Sequence, residues 1–154
     1  MREEAGLEFL RLSPGWKAAL GEFLEDLARG GDYANFHPHP LTADEAEARC
    51  SYRGKDLYYV AVDGREVLGY GMLRGWDEGF EIPSLGIALS AKARGTKLGE
   101  AFMAFLHAAA RRQGAKRVRL KVQRENIRAI KLYERVGYQL QSAGEDELVG
   151  FRNL

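Results

Sequence analysis

The chain has 154 residues, 45% of them apolar and 29% charged, with a formal net charge of +1, which excludes disordered and fibrous classes and gives enough length for a core without covalent staples. No apolar run reaches about 18 residues, so no membrane span is expected, and Met1-Arg2-Glu3-Glu4-Ala5-Gly6 lacks a signal peptide's apolar core. Cys50 is the only cysteine, which forbids an internal disulfide and fits a cytoplasmic location.

Residues 7–12 alternate as a first strand, stopped by Ser13-Pro14-Gly15. Pro14 after Ser13 signals a helix start, and Trp16, Leu20, Phe23, Leu24 and Leu27 recur at helical spacing until Arg29-Gly30-Gly31. Two prolines in Phe36-His37-Pro38-His39-Pro40 exclude regular structure there. Thr42-Ala43-Asp44-Glu45 is a capping box that opens a second helix, running to about Tyr52, with Cys50 in its core. Residues 57–62 and 67–73 form a hairpin across an Asp63-Gly64 turn, and 79–89 is a further strand run.

From Lys97 to Gln113, the residues Leu98, Phe102, Phe105, Leu106 and Ala109 mark an amphipathic helix, which leaves His107 solvated or packed at the rim. Val118, Leu120 and Val122 alternate with charged residues as a strand, and a helix over 126–136 ends at Gly137. Residues 138–142 and 147–152 close the chain as a strand pair. With no repeat or long linker, the order β-α-α-β-β-β-α-β-α-β-β describes one mixed α/β domain over 1–154. Its β-α-β crossover predicts a parallel strand pair.

The stretch Ala93-Arg94-Gly95-Thr96-Lys97-Leu98-Gly99-Glu100 leaves an apolar strand through a glycine turn and enters a helix. Such a turn presents unpaired backbone N–H groups at the positive end of a helix dipole, which suits phosphate or pyrophosphate. A second element, Asn126-Ile127-Arg128-Ala129-Ile130-Lys131-Leu132-Tyr133-Glu134-Arg135-Val136-Gly137-Tyr138, spaces Asn126 and Tyr133 by close to two helical turns, on one face.

Together these segments resemble the GNAT superfamily of N-acetyltransferases. Arg94 and Gly99 match the family's turn, whereas Lys97 stands where its first glycine is usual. A residue entering the helix there with negative φ is tolerated, whereas positive φ would strain a lysine. The resemblance implies a mostly antiparallel sheet of about seven strands flanked by about four helices. It further implies acetyl-CoA as co-substrate, held by Ile87, Ala88 and Leu89 along the pantetheine and by Arg94, Gly95, Thr96, Lys97, Leu98, Gly99 and Glu100 at the phosphates. Asn126 would face the pantetheine arm, and Tyr133 would protonate the departing thiolate. The implied reaction is direct attack of an amine on the thioester, with backbone donors on the developing oxyanion.

The general base stays open. Ser84 occupies a position where many relatives carry a glutamate, and Glu81 is the nearest carboxylate, able to act through water. His37 and His39, with Phe36, fall in the segment that lines the acceptor pocket in this fold. No carboxylate or cysteine cluster accompanies these histidines at ligand spacing, so no metal is expected. Residues 1–91 carry a charge of −7 and residues 92–135 a charge of +10, a division that suits a cationic acceptor and a phosphate-rich co-substrate.

The acceptor expected is a small-molecule amine: an amino sugar, a polyamine or an aminoglycoside-like compound, with a protein N-terminus as a further option. Two other classes compete. The basic residues of 92–135 would also serve a nucleic-acid-binding module, although no RNA-binding aromatic signature interleaves with them. A non-catalytic acyl-CoA-binding relative would explain Ser84 and Lys97. Many family members dimerise through sheet edges, which makes a homodimer a further expectation.

Overall fold

The hairpin foreseen in the sequence is β2 (Leu57–Asp63) with β3 (Glu66–Arg74) in the computed structural model, which describes residues 6–30 and 38–154. Asp63 pairs with Glu66, so the loop is Gly64-Arg65, one residue later than the Asp63-Gly64 reading, with Gly64 supplying a φ of 63°. Around this pair the sheet has seven strands in the order β1-β2-β3-β4-β5-β7-β6. The others are β1 (Leu7–Arg11), β4 (Ser84–Leu89), β5 (Arg117–Gln123), β6 (Gln139–Ser142) and β7 (Glu147–Asn153). All neighbours run antiparallel except β4 and β5, the pair joined by the helical crossover.

Side-chain alternation sends β2 to two cores. Tyr58, Val60 and Val62 meet Leu20, Phe23 and Leu24 of α1 (Lys17–Arg29) and Ala46 of α2 (Ala43–Cys50). Leu57 and Ala61 face the other way, toward Phe102, Met103 and Leu106 of α3 (Leu98–Arg112). β3 admits α3 closely because it carries glycine: a Cβ on Gly71 would lie 2.7 Å from the Phe102 ring. Thr42 caps α2 as expected, its Oγ1 accepting from the Glu45 N–H at 3.2 Å. The last helix, α4 (Ile127–Arg135), stops before Gly137, whose φ is 97°.

Two expectations are corrected. Residues 79–83 are not strand, and β4 begins at Ser84. The Asp56 carboxylate gathers the backbone N–H groups of Gly75 and Trp76 at 3.0 and 2.9 Å and folds Trp76–Glu78 into a 3-10 turn. Pro83 then lacks the N–H that a ladder needs. His107 is buried rather than solvated, with Nε2 2.7 Å from the Tyr138 hydroxyl, because α3 lies beneath the junction of α4 and β6. Among the described residues no helix is long and apolar enough to cross a membrane.

Candidate active site

β4 and β5 pair at one register position, Ser84 with Arg119, where the Arg119 N–H also donates to the Pro83 carbonyl at 3.0 Å. Beyond it the strands diverge. A cavity of about 370 Å³ fills the wedge, with Ile87, Ala88 and Leu89 on one wall and Lys121 and Val122 on the other. β4 keeps its ladder to β3 along its whole length, so its open edge faces β5. Such an edge offers N–H and C=O groups to an extended ligand.

The wedge ends on the N-terminus of α3. Arg94, Gly95, Lys97, Gly99 and Glu100 line it there. The chain turns sharply at this point by adopting the left-handed conformation twice in three residues, at Gly95 (φ 78°) and Lys97 (φ 67°). Lys97 is the one non-glycine residue with positive φ among the described residues. Its φ is thus positive, not the negative value of a residue entering a helix, and the turn explains why glycine suits that position. Thr96 and Leu98, whose backbone N–H groups are expected at the phosphates, turn their side chains away from the cavity: Thr96 Oγ1 donates to the Ala93 carbonyl, and Leu98 is buried in the α3 core.

α4 closes the cavity from the side. Gly99 lets it approach, since a Cβ there would stand 3.1 Å from Leu132 Cδ2. Asn126 and Tyr133 both line the space, as their spacing predicts. Asn126 Oδ1 accepts from the Ala129 N–H at 3.3 Å, so Asn126 caps α4 and keeps its amide nitrogen for other partners. Tyr133 is 7% exposed, its hydroxyl bonds to no described residue, and burial pushes its pKa up to about 12. The residues not singled out for this cavity include Leu27 of α1, which nothing in its local sequence marks. Arg128 and Arg135 also line it, and for them the signal was the basic block over 92–135.

Of the groups expected to serve proton removal, Glu81 and His39 lie away from this cavity, as does Ser84. Glu81 and Ser84 line a second cleft, of about 660 Å³, together with Arg74 and Arg119. Ser84 is three residues from Ile87 along β4, about 10 Å at the rise of a strand. His39 lines neither space. It is buried, with Nδ1 2.8 Å from the Pro40 carbonyl, which places the proton on Nδ1 and leaves Nε2 to accept from the Tyr70 hydroxyl at 2.9 Å. Desolvation lowers its pKa, and both ring nitrogens are engaged. Phe36 and His37 lie outside the described residues. No group of three or more metal-ligating side chains occurs among the described residues.

The model of the Acetyltransferase (GNAT) family matches residues 22–138. No curated protein matches the chain significantly in sequence. Among solved structures, a GNAT-family acetyltransferase from Streptococcus pneumoniae superposes with a TM-score of 0.81 at 18% identity, over 97% of this chain and 99% of that one. The PaiA N-acetyltransferase from Thermoplasma acidophilum, in complex with coenzyme A, gives 0.79 at 14% identity, over 97% and 99%. RimL, a ribosomal L7/L12 alpha-N-protein acetyltransferase in complex with coenzyme A, gives 0.80 at 15%, over 99% and 98%. At these identities the likeness is one of fold.

Proposed function

The chain belongs to the GNAT acetyltransferase family, and on that premise we propose that it is an acetyl-CoA-dependent N-acetyltransferase, one catalytic domain over its whole length, acting on the primary amine of a small molecule. The observation that carries this reading is the wedge between β4 and β5, which leads from an unpaired strand edge to the α3 N-terminus. An extended thiol-bearing arm fits the strand edge, and a pyrophosphate fits the helix end with Arg94 and Lys97 beside it. PaiA and RimL share the fold and were solved with coenzyme A, which supports the same co-substrate here.

Acetyl-CoA supplies an activated acyl carbon to an attacking amine. The backbone N–H groups of Ile87 and Leu89, which face away from β3, polarise the carbonyl as donors fixed by the ladder and requiring no rearrangement, while the Ala88 N–H is taken up within that ladder. Tyr133 donates its hydroxyl proton, or a hydrogen bond, to the sulfur. A phenol at about 12 is a weaker acid than a thiol near 8.5, so the hydrogen bond matters more than complete transfer. Glu81 takes the amine proton through water, with Ser84 as a polar contact on the same cleft.

The test is calorimetric titration with acetyl-CoA and with CoA, followed by thiol release over an amine panel. Saturable micromolar binding with amine-dependent release supports the reading. Folded protein that binds neither compound overturns it.

A further inference from the structure

The second cleft lies on one row of the sheet. Strand register sets Arg74 beside Ser84, Ser84 beside Arg119, and Arg119 beside Phe151, and side chains in one row share a face. All four line the cleft, together with Phe80, Glu78 and Glu81. This is the face that α1 and α2 cover over β2 and β3, as Met72 one step along shows by packing with Tyr58 and Leu24.

Arg119 is the unusual member of the row. Its Nε is buried without a hydrogen-bond partner, and no ion pair or ring contact engages its side chain among the described residues. The neighbouring Arg117 is satisfied by stacking over Phe151, 4.6 Å from the ring centroid. Arg74 donates from Nη1 to the Pro38 carbonyl at 2.8 Å, which ties the cleft to the segment before α2 and leaves other guanidinium N–H groups. Neither arginine pairs with Glu78 or Glu81 among the described residues, although all four line one space.

A half-buried guanidinium with unused donors is completed by a planar anion, which it binds through two parallel N–H bonds. A polyamine would meet two arginine charges here and gain nothing from them. The cleft instead offers two positive and two negative groups and an apolar wall at Phe80, which is 60% exposed.

We propose that this cleft binds the acceptor and that Arg119, assisted by Arg74, reads a carboxylate on it, so that the acceptor is an amino acid with an apolar side chain. The carboxylate sits on the arginines, the ammonium turns toward Glu81, and the side chain lies along Phe80. The inference rests on the acetyl-transfer reading for its chemistry but not for its binding geometry.

The test uses two ligands that differ by one carboxylate, N-acetyl-L-phenylalanine and N-acetyl-2-phenylethylamine, titrated calorimetrically into protein saturated with CoA. The carboxylate ligand should bind at least tenfold more tightly. Arg119→Gln should cut that preference to under about twofold, and Arg74→Gln should cut it partly, both in protein that melts like the parent. Equal affinities, binding of neither ligand, or a preference that survives Arg119→Gln overturns the proposal.

Thiol release with L-phenylalanine and 2-phenylethylamine separates the two readings. Faster turnover of the decarboxylated amine overturns the carboxylate inference and leaves acetyl transfer standing. A carboxylate preference in binding without turnover of any amine overturns acetyl transfer and supports the assigned cleft.

Discussion

Arg135 Nε lies 2.9 Å from Glu100 Oε1, an ion pair that joins α4 to α3 between two residues lining the first cavity where it meets the α3 N-terminus. Both side chains are largely exposed, so the pair contributes little to stability. Its consequence is for binding, because a phosphate arriving at the α3 N-terminus meets the Glu100 charge and must compete with it for Arg135. Glu100→Gln should therefore tighten CoA binding about threefold at low salt, roughly 0.6 kcal/mol, and the gain should shrink as salt rises. Calorimetry at two ionic strengths checks this, and unchanged or weaker binding would place the phosphates away from Glu100.

Lys97 trades backbone comfort for charge. Its left-handed conformation costs about 1 kcal/mol relative to glycine, and its ammonium stands at the proposed phosphate site. Lys97→Gly should raise the unfolding free energy by about 1 kcal/mol while weakening CoA binding and flattening its salt dependence. Chemical denaturation and calorimetry read the two effects separately. A variant that gains stability with no loss of CoA affinity would show that the lysine does not touch the ligand.

Much of this architecture was legible because the signals are local. The apolar run 57–62 before its Asp63-Gly64 turn, the alternation in 118–122, the Thr42 cap and Gly137 each fixed an element through interactions within a few residues. The spacing of Asn126 and Tyr133 placed both on one cavity wall because a helix turns regularly. What stayed hidden depends on distant partners. Nothing near Gly79 reveals that Asp56 bends the chain before β4, and nothing near His107 reveals Tyr138. His39 read as a polar group facing a pocket because its partner, Tyr70, is 31 residues away. The row of Arg74, Ser84, Arg119 and Phe151 exists only through strand register.

Tyr133→Phe removes a hydroxyl that bonds to no described residue, so its structural cost should be small. If that hydroxyl serves the sulfur, turnover should fall about 10- to 100-fold at unchanged acetyl-CoA affinity. Because burial holds the phenol at about 12, Tyr133 should add no alkaline limb to the kcat profile below about pH 11. Thiol-release rates across pH, with calorimetric affinities alongside, check both statements. An unchanged rate in Tyr133→Phe would remove the residue from the chemistry.

The buried pair His107 and Tyr138 predicts how the fold responds to acid. Burial, with Arg152 and Arg111 nearby, lowers the His107 pKa from 6.5 to about 4. The unfolded chain therefore binds a proton more readily than the native one between those values. The stabilising contribution is complete above pH 6.5 and is lost as pH falls toward 4, amounting to about 3 kcal/mol. The lowered pKa of buried His39 acts in the same direction. His107→Gln keeps a polar partner for the Tyr138 hydroxyl and cannot take up that proton, so it should lose less stability than the parent between pH 7 and pH 4.5. Urea unfolding at the two pH values measures the difference, and parallel losses in both proteins would mean that His107 does not titrate below its ordinary value.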